Sequence, residues 1–257
     1  MTDYTLRADL AAAPLFATSV MAASPVVVEA VSATPFAALC LDMEHSTLQA
    51  NDVEDLIRAA DVHAKPVIVR VPDIGSDIPR VLDAGAAGII VPQVETAQQA
   101  REVVDRARYA PVGRRGLGPG RGSDYGASLS PAYTGEANDR TLVAVQIESG
   151  PGVRAAHEIL ATPGIDAVVI GPGDLSMSLG VPMGAPEFWA AVEHVFAVAL
   201  DHGVAPGSFC FRDDHVSELV TRGTRLLLVG SDLGWVARGA ATQWAELQST
   251  LSPAVAR

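Results

Sequence analysis

Short apolar segments alternate with helix-forming segments about eight times along the 257-residue chain. The apolar segments are continuous runs without polar alternation, which is typical of parallel strands covered on both faces. The short links between segments, and a length close to the roughly 250 residues usual for this architecture, predict a closed (β/α)₈ barrel. A doubly wound open sheet is the alternative, because a strand count from one sequence is easily wrong by one.

The predicted elements cover most of the chain, and no break in composition indicates a second domain, so we predict one domain over 1–257. Gly113 to Gly126 form a glycine-rich stretch between elements, which predicts a mobile cover over a site or, equally, an ordinary surface loop. The predicted strands are 16–21, 37–41, 67–71, 88–91, 142–147, 167–170, 205–210 and 226–229. The predicted helices are 25–31, 52–60, 78–84, 97–107, 153–160, 186–201, 216–221 and 233–247.

Composition limits the partners and the compartment of the protein. The formal net charge of −12 argues against nucleic acid or an anionic membrane as a partner. No run of about 18 residues is uniformly apolar, and the N-terminus is a poor signal peptide. Cys40 and Cys210, the two cysteines, both lie in apolar surroundings and are expected to be buried thiols. The sequence therefore predicts a cytoplasmic protein.

Lysine usage excludes one type of catalysis. Among the 18 basic residues there are seventeen arginines and one lysine, Lys65. Lys65 precedes Pro66 at the start of a predicted strand, which in a barrel is the structural end. Schiff-base chemistry through a lysine amine is therefore not expected.

Ionisable residues follow the predicted second and third strands. Asp42, Glu44 and His45 come directly after an apolar segment, where charges are costly unless they are paired or used. In parallel barrels this end of the strands is where chemistry takes place. Arg70 ends the next strand and is either an inter-strand ion pair or a clamp for an anionic oxygen. For Asp42, Glu44 and His45, the alternative interpretation is a charged loop or a helix cap.

Two carboxylates follow later strands, and together they indicate a divalent cation. Glu148 follows the strand 142–147, and Asp174 comes after Gly171 and Gly173 at the end of the strand 167–170. Such a pair suits a hard ion whose other positions are filled by water and substrate. The alternative is that Glu148 pairs with an arginine and Asp174 caps a helix that starts near Leu175.

Other catalytic motifs are absent from the sequence. His45 is the one histidine of six that lies at a charged strand end. The sequence contains no His-Glu-x-x-His motif, no cysteine pairing for zinc, and no Gly-x-Ser-x-Gly elbow of a hydrolase.

The charged motifs occur in an order that resembles a known family over about residues 25–240. The chain resembles the HpcH/HpaI aldolases, metal-dependent class II pyruvate aldolases related to 4-hydroxy-2-oxoheptane-1,7-dioate aldolase. The motifs that carry the resemblance are Asp42-Met43-Glu44-His45, Arg70, Tyr109 to Gly116, Gln146-Ile147-Glu148, Gly171 to Ser176 and Val229-Gly230-Ser231-Asp232.

The resemblance implies a fold and an assembly. It implies a barrel of the phosphoenolpyruvate/pyruvate-binding type. The final helix of such a barrel is often exchanged between the subunits of a trimer-based hexamer. It also implies Mg²⁺, Mn²⁺ or Co²⁺ as the cofactor, with no organic cofactor.

The resemblance also implies roles for the site residues. Glu148 and Asp174 would hold the ion, Arg70 would contact the keto or enolate oxygen, and His45 would act in acid–base catalysis. Asp83 corresponds to a carboxylate that supports this histidine. The remaining predicted residues line or support the site, namely Gln146, Gly171 and Gly173 around the substrate and Asp42 and Glu44 behind them or at a subunit contact.

Two positions depart from the family pattern and leave the substrate open. Ala17-Thr18-Ser19 stand where the family often has Gly-x-Trp or Gly-x-Phe, and Gly173 stands where it often has alanine. Both changes would widen or repolarise the pocket.

The expected reaction is the reversible cleavage of a 4-hydroxy-2-oxo acid to pyruvate, or a close 2-oxo acid, and an aldehyde. The ion would act as a Lewis acid on the enolate, and His45 or a water held by it would take the hydroxyl proton. One alternative is a citramalyl- or malyl-CoA-type lyase of the citrate-lyase β group. A barrel that binds 2-oxo acids without catalysis is the other.

Overall fold

The computed structural model describes residues 6–250 of the chain. Eight parallel strands close into a barrel in sequential order, with β8 hydrogen-bonded to β1. This confirms the predicted (β/α)₈ barrel and excludes the open sheet. The strands are β1 (Leu15–Val20), β2 (Ala38–Asp42), β3 (Val67–Arg70), β4 (Gly88–Val91), β5 (Leu142–Ile147), β6 (Ala167–Ile170), β7 (Ala205–Cys210) and β8 (Leu226–Ser231).

Helices follow the strands, and their apolar faces pack on the outside of the barrel. The first six are α1 (Leu6–Ala12), α2 (Pro25–Ser32), α3 (Ala50–Asp61), α4 (Asp77–Asp83), α5 (Ala97–Ala107) and α6 (Tyr133–Arg140). The others are α7 (Gly150–Arg154), α8 (Ala156–Leu160), α9 (Pro172–Leu179), α10 (Pro186–Asp201), α11 (Asp213–Thr221) and α12 (Asp232–Thr250). None of the helices in 6–250 is long and apolar enough to span a membrane.

The inside of the barrel is filled by alternate residues of the strands. Most of these side chains are small or aliphatic, such as Ala144 on β5 and Val169 on β6, and Phe209 on β7 is the one aromatic in this cluster. Because side chains alternate across a strand, the next inward positions towards the strand ends are Asp42, Arg70, Gln146 and Glu148. The charged residues therefore lie directly above an apolar core.

Helix α1, which the sequence did not predict, closes the end of the barrel where the strands begin. Leu6 and Leu10 are buried and join the inner core. Arg7 donates from Nη1 to the carbonyl oxygen of Asp139 at 2.7 Å, and its Nε lies 2.9 Å from Asp166 Oδ1. Without this cover, the inner core would meet water at that end.

Three other helical regions differ from the prediction. The expected helix 153–160 is two short helices, α7 and α8, which meet at Ala155 with φ −92° and ψ 8°. Helices α6 and α9 were not predicted as such, because each is short and α9 starts with Pro172-Gly173. Asp174 is therefore the third residue of a helix and lies in its first turn.

The glycine-rich stretch lies at the end of the barrel where the strands begin. Arg121 forms an ion pair with Asp61 at the end of α3, and a Cβ atom on Gly120 would lie 2.7 Å from the Asp83 carbonyl oxygen. Close backbone packing explains the glycine. Within one chain the stretch forms a surface loop, because it lies at the end of the barrel opposite the charged strand ends; a cover over the site of a second copy stays a prediction.

Candidate active site

Asp42 and Arg70 form the centre of the charged cluster. They lie opposite each other on β2 and β3, and both are buried. Arg70 donates from Nε to Asp42 Oδ1 at 2.9 Å and from Nη2 to Asp42 Oδ2 at 2.5 Å. The guanidinium carbon lies 4.4 Å from the centre of the Phe209 ring. The predicted inter-strand ion pair is therefore present, and the guanidinium lies over the Phe209 ring of the inner core.

Asp42 also organises the loop after β2. Its Oδ1 accepts the backbone N–H groups of Glu44 at 3.1 Å and His45 at 3.2 Å. Glu44 turns back towards the barrel, where its Oε2 lies 3.0 Å from Arg70 Nη1. Burial raises the pKa of Glu44, and the charge of Arg70 opposes that shift. One buried cation therefore contacts two carboxylates and offsets one of their two charges.

His45 projects into the cavity at the ends of the strands. Its side chain is 55% exposed, and its Nε2 lies 3.8 Å from Glu44 Oε2. An accessible imidazole beside a carboxylate is suited to proton transfer.

Asp83 does not contact His45 within one chain. It is the last residue of α4, just before β4, and so lies where the strands begin. Its Oδ1 accepts from Arg115 Nη2 at 2.6 Å. The expected support of His45 by Asp83 from another strand is thus absent from the single chain, because His45 follows a strand and Asp83 precedes one.

Glu148 is held by its neighbours in a fixed orientation. Its Oε1 accepts the backbone N–H of Gln93 at 2.8 Å, and its Oε2 accepts from the Gln146 side-chain amide. A Cβ atom on Gly171 would lie 2.3 Å from Glu148 Oε2, so only glycine leaves room for the carboxylate. Burial raises the pKa of Glu148, and the charges of Glu44 and Asp174 raise it further.

Asp174 completes an acidic cavity of about 590 Å³ at this end of the barrel. Four carboxylates line it, those of Glu44, Glu95, Glu148 and Asp174. A Cβ atom on Gly173 would meet nothing within 4 Å, so the glycine there enlarges the open space beside Asp174.

The donor set at Glu148 and Asp174 fits a hard divalent cation. Gln146 is fully buried and its Oε1 has no hydrogen-bond partner, although its amide nitrogen donates to Glu148. Carboxylate and amide oxygens are the ligands that Mg²⁺ and Mn²⁺ prefer. In residues 6–250 no three His, Cys, Asp or Glu side chains form a metal cluster. Two protein carboxylates would therefore leave positions for water and substrate.

The departure at Ala17-Thr18-Ser19 gives a polar contact to the last helix. Thr18 Oγ1 donates to the Val229 carbonyl oxygen at 2.8 Å and accepts from Trp235 Nε1 at 3.0 Å. Ser19 is buried, and its hydroxyl has no hydrogen-bond partner. Asp232 accepts the backbone N–H groups of Met21 and Ala22, which ties α12 to the closure of the barrel between β1 and β8.

Sequence reasoning missed several residues that line the cavity, among them Glu95 and Gln93. Gln93 is the one that holds Glu148. It has φ 56°, a left-handed conformation that side chains of its size rarely adopt, and its backbone N–H holds Glu148. Its side-chain Nε2 lies 3.4 Å from Glu44 Oε1. No sequence motif indicates a left-handed glutamine, so this residue was visible only in the structure.

The fold and the site together define a (β/α)₈-barrel enzyme with its polar groups at the carboxyl ends of the strands. The comparisons give the family. Residues 15–238 match the family described as HpcH/HpaI aldolase/citrate lyase. The chain belongs to this family, which confirms the family and the enzyme class, an aldolase-type lyase, expected from the motifs.

Individual relatives match over most of their length. A 5-keto-4-deoxy-D-glucarate aldolase of Klebsiella pneumoniae is 37% identical, with 82% of this chain and 84% of that protein covered. A 4-hydroxy-2-oxovalerate aldolase of Novosphingobium aromaticivorans is also 37% identical, with 85% and 84% covered. A crystal structure of a family member from Burkholderia cenocepacia J2315 superposes with a TM-score of 0.88 at 31% identity, covering 95% of this chain and 98% of that one.

Proposed function

We propose that this protein is a divalent-metal-dependent aldolase. It would reversibly cleave a 4-hydroxy-2-oxo acid to pyruvate, or a close 2-oxo acid, and an aldehyde. The observation that carries the proposal is the arrangement of Glu148, whose carboxylate is held by two donors and lines one cavity with Asp174, Glu44 and His45. Arg70 lies behind the cavity wall, 3.0 Å from Glu44. The relatives named above are aldolases named for different oxo acids. This supports the reaction type and leaves the identity of the aldehyde open.

Glu148 and Asp174 would hold the ion, Mg²⁺, Mn²⁺ or Co²⁺. When bound, the ion supplies Lewis-acid stabilisation of the negative charge that develops on the keto oxygen. Gln146 fixes the orientation of Glu148, and its buried carbonyl oxygen offers a further acceptor beside the ion site. Gly171 has no side chain, which leaves room for the Glu148 carboxylate.

Arg70 would bind the enolate oxygen of the 2-oxo acid. Asp42 fixes two of its nitrogens, and the guanidinium presents a positive charge that needs no reorganisation during the reaction. Glu44 shares that charge and orients His45 at the cavity wall.

In the cleavage direction, the imidazole of His45, or a water that it holds, would remove the proton from the C4 hydroxyl. The C3–C4 bond then breaks, the aldehyde forms at C4, and the electron pair moves into the enolate. The enolate takes a proton at C3 to give pyruvate.

The experiment is condensation of pyruvate with an aldehyde, measured with and without EDTA and then after adding back each divalent metal. We expect His45→Ala to lower turnover by about 10²-fold, in line with other general bases. His63→Ala is the matched control and keeps normal turnover. Activity that survives EDTA contradicts the metal assignment, and normal turnover in His45→Ala removes His45 from its role.

The assembly is also part of the proposal. Every residue in 236–250 of α12 is exposed in the single chain, and an apolar stripe runs along this helix. The stripe consists of Leu233, Val236, Trp244 and Leu247. Such a helix needs a partner, and we propose exchange with a second copy in a trimer or hexamer. Contact of Asp83 with His45 would also require two copies. Cytoplasmic location stays a prediction from the sequence.

A further inference from the structure

Two histidines outside the candidate active site lie next to each other on the outer surface of the barrel. His157 is the second residue of α8, and His202 is the C-cap residue of α10. Their ring centres are 4.8 Å apart, and the ring planes meet at 77°. Both residues are exposed, and no residue in 6–250 forms a hydrogen bond or an ion pair with either ring. The ring nitrogens are therefore available to a ligand from solvent.

The separation of the two rings suits a shared metal ion. Zn²⁺ binds histidine nitrogen at about 2.1 Å with near-tetrahedral angles, which places the centres of two rings on one ion about 5 Å apart. The observed separation is close to this value. The rings now meet edge to face, but the χ2 torsion of histidine is soft. Small rotations of two exposed rings therefore direct one nitrogen of each towards the same point.

Packing holds the two helices against each other, so an ion has to order only the two side chains. Ile159 of α8 and Val195 and Ala199 of α10 are buried in the same core cluster. His202 lies at the C-terminus of α10, where the partial negative charge of the last carbonyl groups favours a cation. A site whose backbone is already in place loses less affinity to ordering.

The histidine pair is separate from the acidic cavity and from the elements assigned above to contacts with a second copy. Helices α8 and α10 follow β5 and β6, which lie across the closed barrel from β8 and β1, where α12 begins. Neither histidine lines the acidic cavity. The ligand chemistry also differs, because imidazole nitrogen suits Zn²⁺, Ni²⁺ and Cu²⁺, whereas carboxylate oxygen suits Mg²⁺ and Mn²⁺.

We propose that His157 and His202 form a second metal site on the outer surface, for a transition-metal ion such as Zn²⁺, Ni²⁺ or Cu²⁺. The two imidazoles supply the protein ligands, and water fills the other positions. The ion ties α8 to α10 and stabilises the folded barrel, because the unfolded chain does not hold the two rings together. The site goes beyond the proposed aldolase function and does not depend on it.

The test is calorimetric titration of the metal-free, tag-free protein with NiCl₂. The wild type is compared with His157→Phe and His202→Phe, which keep an aromatic ring but remove the ligand nitrogens. We expect each variant to bind one Ni²⁺ fewer per chain than the wild type, and the double variant to lose no more than either single one. His194→Phe is the matched control, because His194 is an exposed histidine of α10 outside the pair, and it should bind Ni²⁺ as the wild type does. Titration with MgCl₂ should not distinguish the variants.

Thermal unfolding gives a second measurement of the same site. At roughly ten times its dissociation constant, Ni²⁺ should raise the melting temperature by about 3–6 °C more in the wild type than in His157→Phe. Mg²⁺-dependent aldol turnover should be the same in the wild type and in all the phenylalanine variants, since the pair does not line the cavity.

The outcomes separate this proposal from the aldolase function. Equal binding of Ni²⁺ by the wild type and both single variants overturns the metal site and leaves the rings as a packing contact only. Loss of Ni²⁺ in one single variant alone overturns the shared site. The aldolase proposal is decided independently, by turnover with Mg²⁺ and by His45→Ala.

Discussion

Two buried arginines lie at opposite ends of the barrel, and their contacts differ. Arg108, where the strands begin, donates to the carbonyl oxygens of Gly164, Asn138 and Thr141 and to Asp166 Oδ2. These five contacts match the five N–H groups of a guanidinium. Arg70, where the strands end, makes two hydrogen bonds, both to Asp42, and an ion-pair contact with Glu44.

The difference shows how to tell a structural arginine from a functional one. Arg108 has no N–H group left for a ligand, and with Asp166 and Arg7 it joins α1, β5 and β6 into a closed base. Arg70 is equally buried but retains N–H groups that no described residue accepts. Buried polar groups are normally satisfied, so the unused capacity of Arg70 indicates a site for an anionic ligand.

The largest expected effect is at Arg70. Arg70→Lys keeps the charge but loses the two-pronged contact with Asp42 and the fixed direction of the remaining donors. We expect kcat/KM to fall by about 10³-fold, the upper range for a lost oxyanion donor, with a melting temperature close to that of the wild type. Steady-state kinetics and thermal unfolding measure the two quantities. Retained activity would mean that Arg70 is only structural, as Arg108 is.

At Arg108 we expect the opposite pattern, a loss of stability without a loss of turnover. Arg108→Lys leaves buried carbonyl oxygens without donors, so we expect a loss of about 3 kcal/mol in the free energy of unfolding. Turnover per folded molecule should stay normal, because the residue lies at the other end of the barrel. Denaturant unfolding and active-site titration check this. A fall in turnover without a loss of stability would contradict the separation of the two ends.

A smaller effect is expected at Gly171. Gly171→Ala places a methyl group 2.3 Å from Glu148 Oε2 and must displace the carboxylate, so we expect turnover to fall by about 10²-fold. Gly173→Ala, two residues on, adds a methyl group that meets nothing within 4 Å and should change turnover by less than about 3-fold. Equal effects of the two substitutions would show that Glu148 does not need its observed orientation.

The sequence predicted more of the end of the barrel that carries the site than of the end where the strands begin. Asp42, Arg70, Glu148 and Asp174 stood out because ionisable residues directly after apolar strands are costly unless they are used. Their convergence then followed from the parallel strand order. The register that sets Asp42 against Arg70 came only with the structure.

The base of the barrel was less predictable for physical reasons. Helix α1 is seven residues long, and its stability comes from burying Leu6 and Leu10 rather than from its own sequence. At the other end of the barrel, the left-handed conformation of Gln93 depends on tertiary packing, which short motifs do not encode. Asp83 was given its role beside His45 from the family motif alone, although the predicted helix 78–84 and strand 88–91 already put it before a strand, at the end opposite His45.

The central claim is that Glu148, Asp174 and Arg70 bind a 2-oxo acid and stabilise its enolate. Exchange of the pyruvate methyl protons in D₂O, followed by proton NMR, tests this without any aldehyde. We predict rapid exchange with Mg²⁺, Mn²⁺ or Co²⁺ present, its loss after EDTA, and its loss in Glu148→Gln while Arg108→Lys still exchanges. Exchange that persists in Glu148→Gln or after EDTA would contradict the account.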